Sequence, residues 1–404
     1  MTFPPNAVSG SPSSQRLAWL VGTATLSRLF LNTARRFVYP FAPTLSRGLG
    51  VPITAITSLI ALNQAAGLLS PLFGPLGDRW GYRIMMISGL GMLAVGMTAT
   101  GIFPIYATLA LAVLLAGLGK SLYDPALQAY IGENVAYHRR GMVMGIIEFS
   151  WAGSTLVGIP LIGLLIGRVG WQSPFLILGG LAAVSAVSLS LIFPKTRRRQ
   201  AGPRTGYAAA WRLLRSEPAA IGALGFSFCM AMANDNLFVS YGLWLESRFA
   251  LTVVALGTAT TVIGLAELVG EGLTATIADR LGLKRSIFTG LILTVLSYGL
   301  LPLLGQSLLL GLVGLFFVFL AFEFTIVTSF PLFTELIPQA RGAMMSALLA
   351  AAGLGRMTGA LLGGPVWLAG GITAIGLTSA GITSLALLSL GWGLQHWSDI
   401  NDKG

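Results

Sequence analysis

Twelve apolar stretches, each about 20 residues long and most joined by short polar turns, constrain this chain more than any other feature. A helix of that length crosses a bilayer. A soluble core has no room for twelve of them. Composition agrees: of 404 residues, 54% are hydrophobic and 10% charged, where soluble proteins carry roughly 25% charge. So little charge cannot cover so much apolar surface in water, and a disordered chain needs the opposite balance. The expectation is an all-α, multi-pass integral membrane protein.

The spans read Leu17–Tyr39, Ile53–Phe73, Ile84–Phe103, Ile105–Ala129, Met142–Ile166, Pro174–Phe193, Ala219–Leu243, Val253–Ile277, Ser286–Leu304, Leu308–Phe333, Ala343–Ala369 and Ile372–Leu394. Numbered in that order, they divide the chain into a tail at 1–16, a six-helix bundle at 17–193, a basic linker at 194–218, a second bundle at 219–394 and a tail at 395–404. Seventeen of the 25 Lys and Arg fall in the tails and in the loops after spans 2, 4, 6, 8 and 10. The other face holds only Arg47, Arg168 and Arg248. Basic loops stay inside, so both termini are expected in the cytoplasm, with the inner (plasma) membrane of a bacterium as the setting. The formal net charge of +11 is then topological, and nucleic acid is not an expected partner. The basic linker suits anionic lipid, so membrane lipids are expected partners. One cysteine, Cys229, and two distant histidines, His138 and His396, leave no metal site or cofactor to expect. The first residues lack the basic start and cleavage site of a signal peptide.

The halves repeat. Gly74-Pro-Leu-Gly-Asp78-Arg79-Trp-Gly81-Tyr-Arg83 follows span 2, and Ala275-Thr-Ile-Ala-Asp279-Arg280-Leu-Gly282-Leu-Lys284-Arg285 follows span 8. Asp78 and Asp279, Arg79 and Arg280, and Gly81 and Gly282 each stand 201 residues apart, as do Arg140-Gly141 and Arg341-Gly342. Two motifs in one register indicate a duplicated unit, as in many transporters.

The Gly-x-Leu-x-Asp-Arg-x-Gly-x-Arg loop resembles the signature of the major facilitator superfamily, and the twelve spans, the 6+6 repeat and the basic linker match it too. The resemblance implies the major facilitator fold, two pseudo-symmetric six-helix bundles. Spans 1, 4, 7 and 10 would line a central cavity, 2, 5, 8 and 11 would flank it, and 3, 6, 9 and 12 would face lipid. It also implies a gating role for Gly74, Asp78, Arg79, Gly81, Arg83, Asp279, Arg280, Arg140 and Arg341, with Asp78 stabilising the outward-facing state. Gly153, Gly158, Pro160, Gly163 and Gly167 on span 5 are similar to the glycine-proline pattern of the antiporter branch, although Ile159 interrupts its Gly-Pro pair. Span 4 departs from that branch: Val113 and Ala116 stand where it has Arg and Gln. Its proton-relay residue is therefore not carried over.

A charge inside the membrane costs about 2.5–3.5 kcal/mol on insertion scales, so each one needs a reason. Five bases (Arg28, Arg35, Arg36, Lys120, Arg356) and six acids (Asp124, Glu148, Asp235, Glu267, Glu271, Glu323) lie in the spans, and spans 3, 6, 9 and 12 hold none. Arg28, Asn32, Arg35 and Tyr39 share one helical face, which is an anion-binding surface in form. The other reading pairs those arginines with Glu148, Asp124 or acids of the second half. Arg35 and Arg36 are placed nearer the outer end, where their side chains could snorkel. Lys120 and Asp124, at i and i+4, could satisfy each other. Adjacent Glu267 and Glu271 cannot both ionise cheaply, so one is expected to hold a proton. Glu323 sits among phenylalanines, which favours the neutral acid as well.

The substrate-binding candidates are Arg28, Asn32, Arg35, Tyr39, Lys120, Asp235, Asn236, Glu323 and Arg356. The proton-coupling candidates are Glu148, Asp235, Glu267, Glu271 and Glu323. The sequence has no Walker motif and no nucleophile elbow, so an enzyme is not expected. The expected function is secondary active transport of a small organic solute, anionic or amphipathic, by alternating access with proton-coupled efflux, carried out by a monomer. The alternatives are a lipid or lipophilic-drug exporter of the same fold, and a membrane receptor that transports nothing.

Overall fold

Two of the twelve spans are too polar to pass as membrane helices on length and hydropathy alone, and they are the two that organise the molecule. The computed structural model describes residues 14–69, 80–135, 137–193, 212, 214–274, 276, 279–337 and 341–395. Those residues are helical with no strand among them. Among the described residues, eight helices are long and apolar enough to cross a membrane, and a ninth passes as a bent pair, Ala42–Leu49 with Ile53–Gly67. Two others are outside that set. Span 1, Ser14–Arg36, carries four arginines, and span 7, Pro218–Phe238, ends in Asn234-Asp235-Asn236-Leu237-Phe238. Polar residues are costly against lipid, so these two helices turn their polar faces to the middle.

Both halves use the same breaks. Span 1 stops at Arg36 and resumes as Ala42–Leu49. Span 7 stops at Phe238 and resumes as Tyr241–Phe249. The resumed helices end in left-handed residues, Gly50 at φ +66 and Ala250 at φ +51. Glycine takes that conformation freely and alanine at a cost of about 1–2 kcal/mol. Gly81 and Gly282, at φ +88 and +82 with extended ψ, open spans 3 and 9 (Tyr82–Ile102 and Leu283–Leu304) as a second matched pair. The sequence repeat is thus a repeat of backbone conformation.

Spans 4, 6 and 10 are Tyr106–Asn134, Ser173–Ile192 and Leu308–Glu335. Span 5 runs from Tyr137 to Val169, with a π-helical turn at Ser154–Gly158 directly before Pro160. Span 8 runs from Val253 to Leu273. Spans 11 and 12 form one helix, Arg341–Gly393, broken at Gly370 and Gly371 as the sequence implies; Gly371 has φ +57. Spans 6 and 9 are 33% buried along their apolar stretch and spans 4, 5 and 10 are 50% buried, while spans 3 and 8 are alike at 44%.

The halves meet tightly on the face away from the chain ends, here called the far face. Gly242 lies directly over the Pro40 carbonyl. A Cβ on Gly163 of span 5 would stand 3.2 Å from the Gly257 Cα of span 8. Gly364 of span 11 packs on Thr54 and Thr57 of span 2. Across this seal Arg47 Nη1 meets Glu246 Oε1 at 2.6 Å.

Of the expected gating residues, Gly74, Asp78 and Arg79 lie outside the described residues, as do the side chains of Arg140, Asp279 and Arg341. Arg280 is exposed. Arg83 caps a neighbouring helix. Its Nη2 donates to the Ser190 carbonyl at the end of span 6. Its repeat mate, Lys284, donates to the Leu394 carbonyl at the end of span 12, at 3.3 Å. Each cation caps a helix C-terminus in its own half, where the dipole favours it.

Candidate functional site

The charges inside the membrane form two groups. The first lies within the N-terminal half. Arg28 Nε is 3.1 Å from Asp124 Oδ1, and Arg28 Nη1 is 3.0 Å from Glu148 Oε1. Nη1 also donates to the Ile147 carbonyl and the Ser150 hydroxyl. Lys120 Nζ meets Asp124 Oδ2 at 2.8 Å and donates to Asn32 Oδ1 at 2.7 Å. This group joins spans 1, 4 and 5. Arg28 is consumed by it, which is the pairing alternative and not the anion surface, and Asn32 and Lys120 are consumed with it. The expected i, i+4 pair is present.

The second group spans both halves. Arg36 of span 1 holds Glu267 of span 8 through two nitrogens, with Nη2 at 2.6 Å from Oε1 and Nη1 at 3.3 Å from Oε2. Thr155 Oγ1 donates to the same carboxylate at 3.4 Å. The Arg36 guanidinium lies 4.3 Å above the Trp151 ring. Stacking and a two-point carboxylate are what a guanidinium plane accepts best.

Beside it, Arg35 Nε donates to Asn63 Oδ1 at 2.9 Å and Nη2 to Gln64 Oε1 at 3.2 Å. Asn63 Nδ2 donates to the Val113 carbonyl, which fixes its oxygen toward Arg35. Gln64 Nε2 donates to the Tyr39 hydroxyl at 2.5 Å and to Asp235 Oδ1 at 3.4 Å. The Tyr39 hydroxyl donates to Asp235 Oδ1 at 3.2 Å. Arg356 Nε stands 4.0 Å from Asp235 Oδ2. Glycines make this approach possible: a Cβ at Gly355 or Gly359 would collide with the Phe228 or Met232 carbonyl, so span 11 lies flat on span 7 and brings Arg356 to the centre.

These residues line one cavity between the halves. Its walls include Arg35, Arg36, Tyr39, Asn234, Glu267, Glu323 and Arg356, with Trp151, Phe238, Phe319 and Phe322 as aromatic surface. Glu323 and Glu271 make no hydrogen bond or ion pair to another described residue. Gly270, a helical turn from Glu267, lies against the Glu323 Cβ.

Two expectations change. Arg35 and Arg36 are not near the outer end, because the helical path of span 1 continues to Leu49 and puts them in its interior. Asn236 faces away from the cavity: its Nδ2 donates to Ser379 Oγ on span 12 at 3.0 Å. Asn63, Gln64, Trp151 and Phe238 were not among the sequence candidates. Asn63-Gln64, a polar pair inside an apolar span, was the signal available for the first two.

The family model described as Major Facilitator Superfamily matches residues 24–243 and 223–396. The chain is 28% identical to the MFS-type transporter YceJ of Bacillus subtilis (strain 168) over 313 residues, 76% of this chain and 78% of that one. It is 28% identical to the chromaffin granule amine transporter of Rattus norvegicus over 253 residues, 61% of this chain and 47% of that one. It is 23% identical to a multi-drug resistance efflux pump PmrA homolog of Lactococcus lactis, over 70% of this chain and 72% of that one. Among solved structures, a bacterial homolog to the human lysosomal transporter Spinster, inward-facing and unoccupied, superposes with a TM-score of 0.75 at 14% identity, covering 95% of this chain and 97% of that one.

Proposed function

The chain belongs to the major facilitator superfamily, and on that premise we propose that it is a secondary transporter, moving a small organic solute through the cavity between its halves by alternating access. The observation that carries this reading is the lining itself. Charged side chains from spans 1, 8, 10 and 11 converge on one cavity beneath a sealed far face. Buried charge is costly, and a site that must empty and refill is a reason to keep it. Opening the far face breaks Arg36 from Glu267, so that pair favours the closed state. Such two-state pairing is what a rocking mechanism uses.

Proton coupling belongs to Glu323 in this reading. It lines the cavity and has no partner among the described residues. Efflux is the direction favoured by the glycine-proline pattern of span 5 and by the printed name of the efflux-pump relative. Both termini lie in the cytoplasm, and the membrane is a bacterial inner membrane. A second reading, export of lipophilic cations, is favoured by the amine-transporter relative.

The test is transport by the full chain in liposomes. Exchange of labelled organic solute at equal pH, and its accumulation against an imposed proton gradient, are measured for the native chain and Glu323→Gln. Gradient-driven accumulation that disappears in Glu323→Gln while exchange survives supports the reading. No exchange of any solute defeats it and favours a receptor. Unchanged gradient-driven accumulation in the variant removes Glu323 from coupling.

A further inference from the structure

The cavity holds unpartnered donors and unpartnered acceptors together. On the donor side are two guanidinium groups, one from each half. Arg35 spends Nε and Nη2 on neutral amide oxygens, and its Nη1 meets no described acceptor. No carboxylate lies within ion-pair distance of it among the described residues. Among the described residues Arg356 has only the 4.0 Å approach of its Nε to Asp235, and its terminal nitrogens meet no described acceptor. The other basic groups of the membrane interior are spent: Arg36 on Glu267, Arg28 and Lys120 on Asp124.

On the acceptor side, Asn234 lines the cavity and is 7% exposed, yet its Oδ1 receives no hydrogen bond from a described residue. Glu323 adds a carboxylate with no described partner. Buried polar atoms are almost always satisfied, and donors and acceptors of both kinds around one space suit a ligand that carries partners for both. A carboxylate ligand alone would satisfy Arg35 and Arg356 and leave the acceptors. A cation alone would do the reverse.

We infer that the cavity takes a small zwitterion, a carboxylate and an N–H-bearing cation on one apolar body, with the chemistry of a free apolar amino acid. This rests on the transport reading above and names its substrate class. The carboxylate bridges Arg35 and Arg356, which lie on opposite halves, so the ligand itself ties the halves together. The ammonium group goes to Glu323 and the Asn234 oxygen. The body lies against Phe238, Phe319 and Phe322, where aromatic surface suits it. Glu323 then holds either the ligand's ammonium or a proton. That competition makes the two move in opposite directions.

The experiment uses four probes with the same ring and different heads: L-phenylalanine, phenylacetate, phenethylamine and 2-phenylethanol. Binding to the purified full chain is measured by calorimetry, with thermal unfolding as the check that each variant is folded. Each charge-assisted contact is worth about tenfold in affinity. The native chain is expected to bind phenylalanine at least about tenfold more tightly than the others, and less tightly as pH falls. Arg35→Gln is expected to erase the advantage of phenylalanine over phenethylamine but not over phenylacetate. Glu323→Gln is expected to do the converse. Preference for phenethylamine or phenylacetate in the native chain overturns the zwitterion while leaving transport intact. Binding of none of the four overturns it too. A phenylalanine preference that survives both variants removes Arg35 and Glu323 as its source. Absence of solute exchange in liposomes defeats the transport reading separately.

Discussion

Arg36 and Glu267 lie 231 residues apart in sequence and form a two-point ion pair across the two halves, with side chains 5% and 6% exposed. A guanidinium and a carboxylate so deep repay their desolvation only if the geometry is good and the remaining atoms are bonded. Trp151 and Thr155 supply much of that support.

Removing one partner leaves the other charge buried. Glu267→Leu and Arg36→Met, each alone, are expected to destabilise the far-face-closed state by about 3–5 kcal/mol. The double substitution Arg36→Met with Glu267→Leu is expected to cost much less. Thermal unfolding of the purified variants in a double-mutant cycle checks this. Additive losses would mean that the pair is not coupled.

Arg47 and Glu246 make the same kind of contact at the far face with the opposite expectation. The Arg47 side chain is 60% exposed, so the pair is worth about 0–1 kcal/mol and weakens with salt. Arg47→Ala is expected to leave the melting temperature nearly unchanged. It is expected to shift the population toward the far-face-open form, read by labelling a cysteine placed by Tyr39→Cys.

Arg28 belongs to a bonded cluster with Asp124, Glu148 and Lys120. Arg28→Ala is expected to lower stability, by about 3–5 kcal/mol for a broken buried pair, without changing the preference among ligand heads. Calorimetry with the four probes on this variant separates the cluster from the cavity. A changed order of preference would return Arg28 to the binding site.

Gly355 is where span 11 touches the backbone of span 7 at Phe228. Gly355→Ala forces a shift there and is expected to cost about 1–3 kcal/mol, as overpacking does. It also displaces Arg356. Weakened binding of a carboxylate probe together with a lowered melting temperature is the expected result. Gly272, whose Cβ would meet nothing within 4 Å, is the control position.

The fold was open to reading because lipid enforces it. Apolar length shows directly as spans, and the 201-residue register shows as paired Gly81 and Gly282 with one backbone conformation. The Lys120–Asp124 pair was legible because it is local to one helix. What was not legible depends on where helices break and how they face each other. The depth of Arg35 and Arg36 follows from the continuation of span 1 through residues 37–49, which hydropathy reads as an ending. Asn236 and Asn234 differ only by their direction around span 7. The Arg36–Glu267 pair joins residues that no periodicity connects.

The most direct test of alternating access locks the far face. In a Cys229→Ser background, Thr54→Cys and Gly364→Cys place two thiols where spans 2 and 11 touch across the halves. Proteoliposomes holding a pH dye are exposed to each of the four phenyl probes, and solute-evoked proton movement is recorded before oxidation, after it, and after reduction. At least one probe is expected to drive protons in the opposite direction, the cross-link to stop this, and reduction to restore it. Proton movement that persists in the cross-linked protein, or no movement with any probe, would contradict this expectation.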